Sequence, residues 1–168
     1  MKVAITGQEG FIGYHLYNSI KYKLTDIKVI DFNRKFFKDE SQIDNVISKS
    51  DIIIHLAGVN RSKDQDYLYN ENVTLGQILI ESIKRTNFKG KLIFASSIQE
   101  EESNNYGKAK KATREFFHNQ SLIYDFEFVG LIIPNVYGPF CKPNYNSFIS
   151  TFSNNLINRK RNKLIDNK

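Results

Sequence analysis

The stretch from Lys2 to Gly13 constrains this chain more than any other. Lys2–Thr6 (KVAIT) is a short apolar run, and it leads directly into Gly7-Gln-Glu-Gly10-Phe-Ile-Gly13. A helical pattern follows over 11–23, with Ile12, Leu16 and Ile20 on one face. Strand, glycine loop and helix in that order make a phosphate cradle. The first glycine allows a tight turn, the second lets the backbone approach a pyrophosphate, and the third lets the helix pack closely. The helix N-terminus adds free N–H groups and the positive end of its dipole. Gly7, Gly10 and Gly13, with the backbone of Phe11 and Ile12, are therefore the expected cofactor-binding segment. The bland alternative is a plain glycine turn, and the flanking strand and helix weigh against it.

The rest of the chain repeats this alternation. Further strands are predicted over 26–31 (DIKVID), 51–55 (DIIIH), 91–95 (KLIFA) and 126–133 (FEFVGLII), and helices over 41–49, 64–86, 106–119 and 146–158. Strands alternating with helices imply βαβ crossovers and a parallel sheet. The near-continuous apolar character of IIIH and GLII suits strands covered on both faces. The expected fold class is α/β, a Rossmann-like doubly wound parallel sheet, with ligands at the carboxyl ends of its strands. A chain of 168 residues allows one sizeable core.

A formal charge of +6 raises the question of an anionic polymer as partner. The distribution answers it. Arg159, Lys160, Arg161, Lys163 and Lys168 crowd the last stretch against the single acid Asp166, and the remainder holds 19 basic and 17 acidic residues. Such a tail reads as a solvated end, and no nucleic acid is expected. Cys141 is the only cysteine, so no internal disulfide forms. The opening strand leaves no room for a secretory leader, and no apolar run spans a bilayer. A cytoplasmic protein with no membrane partner and no metal is expected.

At the end of the second strand, Asp31 is placed to hydrogen-bond a cofactor ribose, as in NAD enzymes. Asn33 and Arg34 follow at once, and an arginine there pairs with the 2′-phosphate of NADP instead. NADP is the favoured cofactor and NAD the alternative. A solvated loop shared with Lys35 and Lys38 would be the bland account of Arg34.

The fourth strand delivers Ser96 and Ser97 at its carboxyl end, and Tyr106-Gly-Lys-Ala-Lys110 comes soon after. Residues four apart share a helix face, so Tyr106 and Lys110 point the same way. A lysine ammonium and a positive nicotinamide would favour the tyrosinate, so the Tyr106 pKa is expected to fall. Tyr106 would then exchange a proton with a substrate hydroxyl or carbonyl near neutral pH. Lys110 would hold the nicotinamide ribose, and Ser97 would donate to the reacting oxygen. Tyr and Lys at this spacing is a common accident. The order of glycine loop, strand-end serines and Y-x-x-x-K is what makes the set specific. Lys108 and Lys111 fall on other faces and read as solvated.

The spacing T-G-x-x-G-x-x-G over Thr6–Gly13 resembles the extended short-chain dehydrogenases/reductases, a family of nucleotide-sugar epimerases, dehydratases and reductases. The resemblance implies that Leu56, Ala57 and Gly58 of His55-Leu-Ala-Gly58 lie along the cofactor, with His55 packed in the core. It also implies that Asn72 supports the active-site helix and strand. Many dehydratases of the family carry an Asp-Glu pair after the strand-end hydroxyl residue. Here Ile98 and Gln99 stand there, in a short acidic loop over 98–105, which weighs against a dehydratase.

A narrower resemblance runs from the first residue to about Asn158. His55-Leu-Ala-Gly-Val-Asn-Arg61, Ser96-Ser-Ile-Gln99, Tyr106-Gly-Lys, Pro134-Asn135, Tyr137-Gly138 and Cys141-Lys-Pro-Asn-Tyr-Asn-Ser147 are similar to capsular-polysaccharide reductases of the CapF/WbjC type. That subgroup implies NADPH-dependent reduction at C4 of a nucleotide-linked 4-keto-6-deoxy-N-acetylhexosamine. It implies a nucleotide-diphosphate sugar as substrate, contacted by Ser97, Gln99, Asn135, Asn144 and Asn146. It also implies a homodimer and a C-terminal cupin domain. The chain departs from the subgroup in having Ile132 and Ile133 before Pro134, where an arginine is usual.

The expected organisation is a dinucleotide-binding domain over 1–140 and, over 141–168, the beginning of a sugar-binding region that stops short. The fifth strand is then expected at a sheet edge, leaving a chain prone to association and inactive alone. A nucleotide-sugar 4-epimerase using NAD, and a non-catalytic dinucleotide-binding module, are the rival functions.

Overall fold

In the computed structural model, which describes residues 1–162, one parallel sheet organises the first part of the chain. Its strands are β1 (Lys2–Thr6), β2 (Lys28–Ile30), β3 (Ile52–His55), β4 (Lys91–Ser97) and β5 (Glu127–Ile133). Their spatial order is β2-β1-β3-β4-β5, with all pairs parallel. The chain therefore winds outward from β1 first to one side and then to the other. The order reverses between β1 and β3, where a doubly wound sheet opens its ligand crevice. The α/β class and the parallel, Rossmann-like sheet are as expected.

Strand alternation sorts the apolar side chains onto two faces. On one, Val3 and Ile5 pack with Ile20 of α1 (Phe11–Lys23), flanked by Leu16, Ile52 and Ile54. On the other, Ala4, Ile53, Leu92 and Phe94 pack against α2 (Glu40–Ile47), α3 (Gln65–Thr86) and α4 (Asn105–Tyr124). Leu75, Leu79, Ile80, Ile83 and Phe117 fill this larger side. Phe117 meets His55, Phe94 and Phe128 edge-on, with ring centroids 5.2–5.9 Å apart.

Two elements, β1 and α1, match their expected bounds to the residue, and the others shift at one or both ends. The second strand is shorter than 26–31 because only Lys28–Ile30 pair with β1. The following stretch is not a solvated loop throughout. Asn33 caps a 3-10 turn, η1 (Arg34–Lys38), whose lysines are exposed while Phe37 and the preceding Phe32 are buried. Helix α4 runs past 119 to Tyr124, where Asp125 ends it in the left-handed conformation. Residues 98–105, expected as a loop, contain a second 3-10 turn, η2 (Ile98–Glu101). Among the described residues β5 lies at an edge, with Val129, Leu131 and Ile132 exposed.

Two compact units are present. The first ends at Ile133 and the second begins at Pro134, somewhat before the division expected at 140/141. The second unit contains α5 (Phe148–Ile157), capped by the Ser147 hydroxyl, which accepts from Ser150 N–H at 3.2 Å. Arg159, Lys160 and Arg161 of the basic tail are exposed, and Lys163, Asp166 and Lys168 lie outside the described residues. No helix among the described residues is long and apolar enough to cross a membrane.

His55 is the core's one buried imidazole, 1% exposed, and burial with the nearby Lys110 charge pushes its pKa from 6.5 to about 3. The unfolded ring takes a proton near its ordinary value, whereas the folded ring refuses it until far lower pH. The stability contributed by neutral His55 is complete above pH 6.5 and is lost as pH falls toward about 3. Between about pH 6 and 5, where carboxylates remain ionised in both states, urea-unfolding free energy should fall with a slope approaching about 1.4 kcal/mol per pH unit. A His55→Asn variant should lose most of that slope.

Candidate active site

The glycine loop is built on Thr6. Leu56 N–H donates to the Thr6 carbonyl at 3.1 Å, and Ala57 N–H donates to Thr6 Oγ1 at 3.2 Å. Thr6 Oγ1 is also hydrogen-bonded to His55 Nδ1 at 2.7 Å. The ends of β1 and β3 are thereby tied together where the two loops diverge. Gly7 then turns with φ +75, and a Cβ there would come within 2.8 Å of Ala57 N. Gly10 N–H closes the turn on the Gly7 carbonyl at 2.9 Å. At Gly13 a side chain would overlap that same carbonyl, so α1 is drawn tight against the loop.

No side chain caps the N-terminus of α1, and Gly10 and Ile12 are exposed there, with Phe11 half-buried. An uncapped helix start beside an exposed glycine turn fits a dinucleotide pyrophosphate, which would take the N–H groups of the first turn.

The Leu56–Gly58 segment runs beside this loop. At its end Asn72, buried in α3, grips Val59: its Oδ1 accepts from Val59 N–H at 3.1 Å and its Nδ2 donates to Val59 O at 2.9 Å. Asn72 Nδ2 also donates to Leu68 O at 2.7 Å. The expected supporting role for Asn72 thus takes the form of a two-pronged clamp on backbone. A side chain built on Gly58 would overlap Asn72 Oδ1 and stand 3.8 Å from Lys110 Nζ.

The ribose-end residues are distributed differently. Asp31 is exposed just past β2 and accepts from Tyr17 O–H at 3.2 Å. Asn33 spends its Oδ1 on Lys35 N–H at 2.9 Å as the cap of η1. Arg34 is 63% exposed by side chain and pairs with Glu71 of α3 at 3.1 Å. The Arg34 guanidinium is thus exposed and ion-paired to a neighbouring helix.

Tyr106 and Lys110 share a face of α4 as their spacing requires. Lys110 Nζ is buried, donates to the Ala95 carbonyl of β4 at 2.9 Å, and lies 4.7 Å from the Phe94 ring centre and 5.7 Å from that of Tyr106. Burial pushes the Lys110 pKa down to about 8, against the attraction of Glu100. Within the chain itself burial raises the Tyr106 pKa, opposite in direction to the fall expected beside a positive nicotinamide. The reason is geometric. The Lys110 ammonium is spent on a backbone carbonyl and faces the flat of the Tyr106 ring, so desolvation of the phenolate dominates.

Ser97 and Gln99 flank this pair. Ser97 Oγ accepts from Gln99 N–H at 3.2 Å, and Gln99 Oε1 accepts from Asn104 Nδ2 at 3.3 Å. Gly107 explains the glycine of Tyr106-Gly-Lys, because a side chain there would overlap the Gln99 carbonyl. Ser97, Gln99, Tyr106 and Lys110 are thus gathered at the carboxyl end of β4. Lys108 and Lys111 are exposed. Asn135, Asn144 and Asn146 belong to the second unit, where all three are exposed and Asn144 N–H donates to Thr151 Oγ1 at 2.8 Å.

Three residues at this end were missed from the sequence. Thr6 read as the end of a strand and the first residue of the glycine motif, without its tie to His55 and Ala57. Glu100 read as one of three acids in a loop, yet it is 9% exposed and receives Arg114 on both carboxylate oxygens at 2.7–2.9 Å. Arg114 did leave a signal, since it continues the Tyr106–Lys110 stripe by another four residues.

A profile of the NAD dependent epimerase/dehydratase family matches residues 3–167. The chain is 37% identical, over 94% of its length, to a UDP-2-acetamido-2,6-beta-L-arabino-hexul-4-ose reductase of Pseudomonas aeruginosa, of which it covers 41%. The crystal structure of the capsular polysaccharide assembling protein CapF from Staphylococcus aureus superposes with a TM-score of 0.80 at 30% identity, over 99% of this chain and 44% of that one. A UDP-glucose 4-epimerase of Thermotoga maritima, with 20% identity and a TM-score of 0.82 over 99% of this chain and 66% of that one, shares the fold. The chain therefore spans less than half the length of the first two relatives.

The Asn72 clamp is directly testable. Asn72→Leu keeps the branched shape but strands the N–H and C=O of half-buried Val59, and an unpaired backbone group away from water costs about 1–3 kcal/mol. The urea midpoint should fall accordingly, with amide exchange at Val59 accelerating most.

Proposed function

The chain belongs to the NAD dependent epimerase/dehydratase family, and on that premise we propose that it carries the dinucleotide-binding part of an NADP(H)-dependent reductase of a nucleotide-linked 4-keto-6-deoxy-N-acetylhexosamine in surface polysaccharide biosynthesis. The observation that carries this reading is the Tyr106–Lys110 stripe set against the end of β4, in a chain 37% identical to a UDP-linked 4-ketosugar reductase. A cytoplasmic location and a homodimer go with the proposal, as does the division into a dinucleotide-binding domain and the start of a sugar-binding region.

NADPH, when bound, supplies the hydride that reaches C4. The glycine loop and the first turn of α1 hold the pyrophosphate through backbone N–H groups, and Leu56–Gly58 line the cofactor. Arg34, in the same region, pairs with a 2′-phosphate, while Asp31 offers the alternative ribose contact of NAD. Lys110 stands beside Gly58 and Tyr106, where its ammonium orients a ribose hydroxyl. Tyr106, kept protonated by burial, donates its phenolic proton to the oxygen of the reduced carbonyl. Ser97 donates to that oxygen as its charge develops. The sugar-nucleotide contacts of Gln99, Asn135, Asn144 and Asn146 rest on sequence resemblance alone. Glu100, next to the position of the dehydratase acid pair, is locked to Arg114 and is not free to act as an acid or base.

Two measurements test the proposal. Arg34→Ala should erase most of an NADPH-over-NADH preference, a loss of about 1–3 kcal/mol by calorimetric titration; equal affinities in the unsubstituted protein would move the assignment to NAD through Asp31. In the active form of the protein, Tyr106→Phe should retain cofactor binding and lose most ketosugar-dependent NADPH oxidation. Hydride recycling without net NADPH consumption would indicate an epimerase, and cofactor binding without turnover a non-catalytic module.

A further inference from the structure

The ion pair between Arg34 and Glu71 joins η1 to α3, and Glu71 has no part in the reaction proposed above. The backbone around Arg34 is pinned on both sides. Phe32 and Phe37 are buried in the core. Asn33 caps η1 through its side chain, and Phe32 N–H donates to Gln8 Oε1 of the glycine loop at 3.3 Å. The root of the arginine is therefore set relative to that loop. Its side chain is 63% exposed, and the contact that restrains the guanidinium runs from Nη2 to Glu71 Oε1 at 3.1 Å. Glu71 is itself well seated. It directly precedes Asn72, the residue that clamps Val59, and its side chain is only 28% exposed.

We propose that Glu71 is a specificity-determining residue of the cofactor site: its carboxylate competes with a cofactor 2′-phosphate for the Arg34 guanidinium and so lowers the preference for NADP(H) over NAD(H). Two effects combine. To fork onto a phosphate, the guanidinium must share or give up its contact with Glu71. A phosphate brought to Arg34 also carries its own negative charge toward a carboxylate that lies 3.1 Å from the same group. NAD(H), with a ribose hydroxyl at that place, meets neither penalty. The inference rests on the assignment of Arg34 to the 2′-phosphate, and it is independent of the sugar substrate.

The neighbouring polar groups have other roles. Asp31 accepts from Tyr17 O–H at 3.2 Å, and in the NAD alternative it serves the ribose. Lys35 and Lys38 are exposed along η1 and carry the same sign of charge as Arg34. Asn72, next to Glu71, is uncharged and committed to backbone. A carboxylate behind an arginine can also pre-orient it for a ligand. Here the pair is made through one guanidinium nitrogen on a mostly exposed side chain, so its ordering effect is small. Competition for the cation and repulsion of the phosphate therefore decide the sign.

The test is calorimetric titration of the full protein with NADPH and with NADH, in the absence of substrate. Glu71→Gln keeps the shape and a hydrogen-bond acceptor but removes the charge. It should tighten NADPH binding about threefold to fivefold and leave NADH binding unchanged. That gain over the unsubstituted protein should shrink in about 1 M salt, where exposed charges are screened. General loosening of the fold would weaken both cofactors, so a gain confined to NADPH cannot arise from it. The effect must also run through Arg34: in an Arg34→Ala background, Glu71→Gln should lose most of its influence. If Arg34→Ala removes the NADPH preference while Glu71→Gln leaves NADPH affinity unchanged or weakens it, this inference fails and the cofactor assignment stands. A Glu71→Gln gain that persists undiminished without Arg34 equally rules out competition for the arginine. If Arg34→Ala leaves the preference untouched, the assignment of Arg34 to the 2′-phosphate fails and this inference falls with it. Should Glu71→Gln not fold by circular dichroism, Glu71→Ala also removes the charge and must show the same NADPH-only gain.

Discussion

The site depends on how β1 and β3 are joined at Thr6. One hydroxyl accepts from Ala57 N–H and is hydrogen-bonded to His55 Nδ1, while the Thr6 carbonyl accepts from Leu56 N–H. The glycine loop leaves from one side of this junction and the Leu56–Gly58 segment from the other. Their separation is thereby set before either meets a ligand. His55 makes the arrangement strict. A proton on its buried ring would cost desolvation and meet the nearby Lys110 charge, so the ring stays neutral while it holds Thr6.

From that junction the remaining constraints propagate by close backbone approach. Gly13 brings α1 onto the loop, and Gly107 brings α4 onto η2. Between them Asn72 ties α3 to Val59 and Lys110 ties α4 to β4. Each helix bordering the crevice is thus fixed by a polar or steric contact to backbone at the sheet's carboxyl end, while the large aromatic and aliphatic core supplies nonspecific cohesion behind it. Strand order alone would not give this precision, because packing of Leu79, Ile80 or Ile83 tolerates small shifts that a bidentate amide clamp does not.

Legibility from the sequence followed the length scale of the signal. Lys2–Thr6 and Phe11–Lys23 could be read to the residue, because a strand, three glycines and a periodic helix reinforce one another. The 3-10 turns were not legible, since neither is long enough to show a period, and Phe32 and Phe37 are buried among charges that read as loop. Tyr106 and Lys110 were legible from spacing. The direction of the Tyr106 shift was not, because it depends on where the lysine ammonium is spent, and the Ala95 carbonyl lies in a strand more than ten residues away. Glu100 was the least visible, since Ser96 and Arg114 reach it only after the strand, the turn and the helix have come together.

The raised pKa of Tyr106 bears on the direction of the proposed chemistry. A tyrosine that must take a proton from a sugar hydroxyl works best when its phenolate is accessible near neutral pH, and the usual aids are a facing ammonium and a positive nicotinamide ring. In this chain the ammonium is turned to Ala95 and burial holds the phenol protonated. A reduced nicotinamide carries no positive ring charge, so an NADPH complex would leave Tyr106 in that protonated state, ready to donate. Oxidation of a hydroxyl, the first step of an epimerase, would instead depend on the oxidised ring to produce the base. In the reduction proposed above, Tyr106 would start from the protonated state that its burial favours.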